Sequence, residues 1–263
     1  MHAANQTLKP LERSGASIVG SFIDAGHWEQ FLSTIISWAQ AGQSRVVCVC
    51  NVHSVVTAKS DPALRAAIDE ADMATPDGMP LAWVLRQRGF PEQKRVNGPD
   101  LMWRVLPLAE TQGIRVFFYG STEGTLQRLC SSVGETFPNL SLVGSYSPPF
   151  RVLTEDEQNE EVERINSSRA QVVFVGLGCP KQEIWMHRNK GRINAVMLGV
   201  GAAFDFHAGT LKRAPLWIQN SGLEWLFRLL QEPRRLFFRY VTTNSVFVWT
   251  ILCEKFFQSS KRI

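Results

Sequence analysis

Gln171-Val-Val-Phe-Val-Gly176-Leu-Gly-Cys-Pro-Lys-Gln-Glu183 decides the fold class. Its first six residues are a short apolar run closed by glycine, which predicts a strand buried on both faces. Pro180 then stands where proline is tolerated at the head of a helix. The same grammar recurs on either side. Gly113-Ile-Arg-Val-Phe-Phe-Tyr-Gly120 predicts a strand followed by a helix cap at Ser121-Thr-Glu-Gly124. Asn194-Ala-Val-Met-Leu-Gly199 predicts another strand, leading into a helix over Val200–His207. Strand, glycine loop, helix, strand is the pattern of an α/β fold: a Rossmann-like parallel sheet with helices on both faces. Ligands of such sheets sit beyond the carboxyl ends of the strands, where these glycine loops gather.

Working outward, Ser17–Phe22 predicts one short strand and Trp28–Ala41 a helix. Arg45-Val-Val-Cys-Val-Cys50 predicts a buried strand ending at Asn51, with helices over His53–Lys59 and Asp61–Ala71 behind it. Thr75-Pro-Asp-Gly78 has the composition of a turn. Pro148-Pro149 predicts another turn and Thr154–Ser167 an acidic helix. Beyond Arg213 the character changes, and Leu216–Phe227 and Pro233–Phe257 predict two helices. The organisation expected is a flexible leader over 1–16, an α/β catalytic core over 17–210, and a basic, aromatic, helical C-terminal appendage over 211–263.

The net charge of +4 is unevenly spread. Residues 211–263 carry nine Lys/Arg against three Asp/Glu, so this tail is +6 and the rest is −2. The tail also holds ten of the 27 aromatic residues. A uniformly basic chain would point to nucleic acid; a basic tail rich in Trp and Phe fits an anionic membrane surface better. The blander reading is a basic helical pair packed on the core. Residues Met1–Gly20 lack an apolar signal core, and the most apolar tail run, Val246–Leu252, is seven residues where about 20 are needed to cross a bilayer. The chain is expected to lie on a membrane without crossing it. Five cysteines, odd in number and without a C-x-x-C pair, point to a reducing cytosol rather than a disulfide framework or a zinc site.

Several positions carry candidate chemistry. Gly120, Gly176 and Gly199 close strands just before helices, whose N-termini suit a diphosphate, and Gly201 follows in the third loop. Neither Gly176-Leu-Gly178 nor Gly199-Val-Gly201 completes a dinucleotide fingerprint, and each glycine alone is as well explained by its turn. Asp77, on a rigid turn beside Asn51 and Arg95, could accept a hydroxyl proton; Asp before Gly is also an ordinary turn former. Gln182 at a strand-end crevice suits sugar hydroxyls, whereas Glu183 is explained by the helix dipole. Asp205 is balanced between a base- or ribose-binding carboxylate and a helix-start acid. No D-x-D motif and no metal-ligand spacing is present, and His187 and His207 are isolated. If a nucleoside diphosphate leaves here, arginine forks must neutralise it, and Arg228, Arg234, Arg235 and Arg239 are the candidates.

Taken in order, N-x-x-x-V from Asn51, P-D-G-x-P from Pro76, R-V-x-G-x-D-L from Arg95, G-C-P-K-Q-E, G-V-G-x-x-F-D, R-A-P, G-L-E-W-L-x-R and E-P-x-R resemble the WecG/TagA/CpsF glycosyltransferases, over about residues 17 to 240. The resemblance implies an inverting, metal-independent transferase without a cofactor. It moves a hexose from a UDP-sugar donor to a polyprenyl-diphosphate-linked saccharide acceptor in surface polysaccharide synthesis. It implies a cytoplasmic protein, peripheral on the inner face of the cell membrane, with no nucleic acid partner and room for a homo-oligomer. Asp77 would be the catalytic base, Asn51, Arg95 and Gln182 pocket residues, and Asp205 the residue meeting uracil. Arg228, Arg235 and Arg239 would reach the diphosphate from the appendage. Two departures stand out: Val49 where the family often has Thr, and Ala202 where a second glycine is common. Glucose is the donor sugar favoured here, with N-acetylmannosamine or its uronate as the rival. A nicotinamide-dependent oxidoreductase and a non-catalytic nucleotide-sugar-binding protein are the competing classes.

Overall fold

Alternation along the central strands divides the protein into two cores. In the computed structural model, which describes residues 13–260, the strands are β1 (Gly15–Ile18), β2 (Ser21–Asp24), β3 (Arg45–Cys50), β4 (Met73–Pro76), β5 (Val116–Gly120), β6 (Leu142–Tyr146), β7 (Val172–Gly176) and β8 (Val196–Gly199). The last six form one parallel sheet in the order β4-β3-β8-β7-β5-β6. Val46, Cys48, Phe117, Tyr119, Val173, Val175 and Met197 point to one face. Val47, Val49, Val116, Phe118, Val172, Phe174, Val196 and Leu198 point to the other. Period-two side chains that are apolar on both sides require a cover on each face.

Helices α1 (Trp28–Gln40), α5 (Gly98–Thr111), α6 (Glu123–Thr136) and α9 (Ala203–His207) cover the second face. The first is covered by the β1–β2 hairpin with α2 (Val52–Thr57), α3 (Pro62–Asp69), α4 (Met79–Gln87), α7 (Glu155–Ser167) and α8 (Lys181–Asn189). The tail forms α10 (Leu216–Asn220), α11 (Glu224–Gln231) and α12 (Pro233–Ser260). The Rossmann-like parallel core, the helices on both faces and the helical C-terminal appendage are as the sequence predicts.

The differences are local and have physical causes. Ser17–Phe22 is not one strand; it straddles the hairpin turn at Val19 and Gly20, both at positive φ, and the hairpin stays out of the main sheet. Part of the expected leader is folded: Arg13 pairs with Asp24 at 2.9 Å, and Ser14 O accepts from Ala25 N–H at 2.7 Å. Residues 1–12 lie outside the described residues. The expected turn at Thr75-Pro76 belongs to β4, because this is an edge strand and tolerates proline there. The exposed side of that edge is quenched by Asp24, whose carboxylate accepts from Ala74 N–H at 2.6 Å. The expected single helix over Leu216–Phe227 is broken between α10 and α11, where Gly222 takes a left-handed conformation (φ +78°).

The tail also departs from expectation in length. Within α12, Pro233–Glu254 runs 22 residues and is apolar enough in composition to cross a bilayer, so the seven-residue limit read from the sequence is too short. This helix nevertheless lies along α2, with Leu236 and Phe247 buried, Arg239 and Asn244 facing a cavity, and Glu254 paired with Arg88 at the end of α4. A helix crossing lipid would have to abandon every one of those contacts.

Candidate active site

A cavity of about 900 Å³ runs along the carboxyl ends of the strands, and the appendage roofs it. Residues at or just beyond the ends of β3 (Asn51), β4 (Asp77), β5 (Ser121), β7 (Gly176) and β8 (Gly199) line its floor, with Arg228 from α11 and Arg235 and Arg239 from α12 on the opposite side. Of the residues singled out in the sequence, Asn51, Asp77, Arg95, Gln182, Gly176, Gly199, Gly201, Asp205 and the three arginines all line this one space. Gly120 does not. It sits against Gly176, whose backbone would lie 2.7 Å from a β-carbon added at Gly120, so its task is the close approach of β5 and β7.

Asp77 reaches the floor because its N–H bonds to Cys50 O at 2.7 Å, fastening the end of β4 beside the end of β3. Asn51 caps α2, accepting from Ser54 N–H at 3.1 Å, which fixes its side chain next to Asp77. Burial and the nearby Glu224 carboxylate push the Asp77 carboxyl up to about 7, against the opposing influence of Arg95, Arg228 and the Asn51 hydrogen bond. A half-buried carboxyl poised at that value is suited to exchange a proton near neutrality.

Glu224 is the residue that the sequence did not mark as functional. It belongs to α11, and Arg95 donates to its Oε2 at 2.5 Å while also donating to Gln219 of α10. Arg95 is therefore a tie between core and appendage as well as a wall of the cavity. Glu224 lies within the quoted G-L-E-W block, but nothing in the spacing reveals that a residue so distant in sequence meets Arg95. His53 is another such case. It lines the cavity, and burial with the Arg239 charge pushes it down to about 4, so it is neutral.

Gln182 has more structural work than expected. Its Oε1 accepts from Gly178 N–H at 3.2 Å and its Nε2 donates to Glu183 at 2.9 Å, so the buried amide ties the loop after β7 to the floor below. Glu183 is fully buried; burial pushes its carboxyl up, against hydrogen bonds from Gln182, its own backbone and Cys179. Asp205 is also raised, chiefly by burial, and its Oδ1 accepts from Thr210 Oγ1 at 3.4 Å.

The arginines divide by partnership. Arg235 is ion-paired with Glu232 at 2.6 Å. Arg228 lies over the Phe206 ring at 5.7 Å, and Arg239 over Tyr240 at 5.3 Å. Among the described residues no carboxylate is paired with either, and Arg239 Nε is buried without a hydrogen-bond partner. Two half-buried guanidinium groups facing a raised carboxyl across one cavity form a receptor for anionic oxygens. Among the described residues no three of His, Cys, Asp and Glu come together as a metal-binding set.

Comparison with known proteins agrees with this geometry. A sequence model of the Glycosyl transferase WecG/TagA/CpsF family matches residues 16–261. The N-acetylglucosaminyldiphosphoundecaprenol N-acetyl-beta-D-mannosaminyltransferase of Bacillus spizizenii (strain W23) is 35% identical over 179 residues, covering 68% of each chain.

Proposed function

Starting from the fact that this chain belongs to the WecG/TagA/CpsF glycosyltransferase family, we propose that it transfers an N-acetylmannosamine-type hexose from its UDP derivative to an N-acetylglucosamine carried on a polyprenyl diphosphate. The chain is an enzyme of the glycosyltransferase class, and the oxidoreductase alternative falls with that membership. The name of the Bacillus relative favours N-acetylmannosamine over the glucose expected from the sequence. The acceptor class is taken from the same name.

Asp77 supports the reaction class. As carboxylate it takes the proton of the acceptor hydroxyl. The hydroxyl oxygen bonds to the anomeric carbon, and the bond from that carbon to the phosphate oxygen breaks on the opposite face, inverting the centre. UDP leaves with the electron pair, and Arg228 and Arg239 receive the charge that develops on it. One well-placed donor of this kind contributes about 3–4 kcal/mol to a transition state. Gln182 holds the Gly176–Gly178 loop so that its backbone meets the donor.

The appendage also supports action at a membrane surface. Trp217, Leu230, Phe238 and Trp249 are each at least 70% exposed, which is unusual for side chains of this size, and arginines lie within four residues of the first three in sequence. The decisive experiment is transfer of radiolabel from UDP-N-acetylmannosamine, UDP-glucose and UDP-N-acetylglucosamine to the lipid-linked acceptor, with EDTA present throughout. Incorporation from the first alone is expected. Incorporation from glucose alone would overturn the donor assignment, and loss of all transfer on chelation with rescue by Mg²⁺ would overturn the arginine route.

A further inference from the structure

The cavity has a second half that this mechanism does not use. Between α4 and α12 its walls are Met79, Trp83 and Val84 on one side and Phe247, Val248 and Ile251 on the other. A UDP-sugar has only the uracil face and an acetyl methyl to offer such walls, far less apolar surface than they present. They are not collapsed on each other, because polar pins hold their spacing. Arg95 with Glu224 fixes the catalytic end and Arg88 with Glu254 the far end. The Gly222 turn packs against Trp83, where an added β-carbon would lie 3.0 Å from the indole ring. Trp83 and Val248 remain 43% and 56% exposed within this groove, and its outer lip continues into the exposed Trp249 and Leu252.

We propose that this groove seats the first isoprenoid units of the acceptor, so that its chain leaves the site between α4 and α12. The proposal rests on the acceptor class inferred above. Its own support is threefold: the groove is continuous with the space around Asp77, it is apolar where the donor is not, and it opens onto the apolar surface of the appendage. A lipid diphosphate has the same order of parts, with a polar head for the catalytic end and a branched hydrocarbon for the groove. Burying two methylene groups of such a chain is worth about tenfold in affinity.

The test uses the full chain without detergent and compares geranyl diphosphate, which carries two isoprene units, with inorganic diphosphate by isothermal titration calorimetry. Geranyl diphosphate should bind at least about tenfold more tightly. Ile251→Asp and Val248→Trp should each abolish that preference, the first by placing a charge in the groove and the second by filling it. UDP affinity should be unchanged in both, which reports an intact fold. Equal affinity for the two diphosphates, or a preference that survives both variants, overturns the proposal. So does a dimer that Val248→Trp dissociates without touching the preference, since the groove would then receive a second copy. Failure of sugar transfer with the geranyl preference intact sinks the acceptor reading and leaves the groove; transfer that is indifferent to acceptor chain length sinks the groove alone.

Discussion

Asp77 binds its proton more tightly in the folded chain than in the unfolded one, being raised from 3.8 to about 7. Between those values each rise in pH disfavours the folded state, and above about 7 the penalty is complete. The residue proposed as the base therefore also weakens the fold at neutral pH. Asp77→Asn should lower turnover by about 10²–10⁴-fold with UDP binding retained. It should also raise the melting temperature at pH 7.5 by about 2–4 °C, the equivalent of roughly 1 kcal/mol after allowance for its partial exposure. Near-normal turnover would remove it from the role, and a lower melting temperature would mean that the buried carboxylate does not weaken the fold. In the unmodified enzyme kcat/KM should climb through about pH 7 as the carboxylate forms. Arg228→Ala and Arg239→Ala should each cost about 10²-fold in turnover, and Lys should rescue only in part because a point charge does not reproduce the guanidinium fork. Full rescue by Lys would reduce the two arginines to general positive charge. The place of Asp77 in the cavity was legible in the sequence because a carboxylate on a tight turn is conspicuous. Its raised value was not, since the carboxylate that helps raise it comes from the appendage. The structural work of Gln182 was not legible either: its partners, Gly178 N–H and Glu183, are near in sequence, but a buried amide looks from sequence like an idle one.

At the scale of elements, one ion pair ties α11 to Arg95, in the segment before α5 whose Val96 N–H bonds to Pro76 O at the end of β4. Glu224→Gln removes a carboxylate that raises Asp77 and releases Arg95, whose charge lowers it. Both changes act in one direction, so the acid limb of the pH–rate profile should move to lower pH, and the appendage should be cut faster by a protease at limiting concentration. An unmoved limb would mean that burial alone sets the value of Asp77. The strands at the centre of the sheet were readable because burial on both faces leaves an uninterrupted apolar run, as in Val172–Gly176. The edges were not. β6 is half-exposed and mixes Gly and Ser with its apolar residues, and β4 contains proline, so neither carries the signature of a strand. The hairpin was read as one strand because a valine at positive φ gives no warning of a turn.

At the scale of the whole molecule, charge and apolar surface coincide on the appendage, while the cavity is lined by appendage and core together. Replacing Trp217, Phe238 and Trp249 together by Ser should weaken co-sedimentation with anionic liposomes by about tenfold or more. Transfer to a short-chain, water-soluble acceptor should be left nearly intact. If that transfer falls in proportion to liposome binding, the three side chains serve the reaction and not the surface. The basic, aromatic character of the tail was plain in the sequence, and the family resemblance implied that it closes over the site; the pins that hold it there, through Arg95 and Arg88, were not legible, because each pairing joins residues far apart in the chain.

The outward-facing Trp217, Leu230, Phe238 and Trp249 also set how the purified protein behaves in a test tube. In buffer alone they have only each other to meet, so solubility should be lowest in kosmotropic salt, where apolar contact is strengthened, and restored by a mild non-ionic detergent below the concentration that unfolds the core.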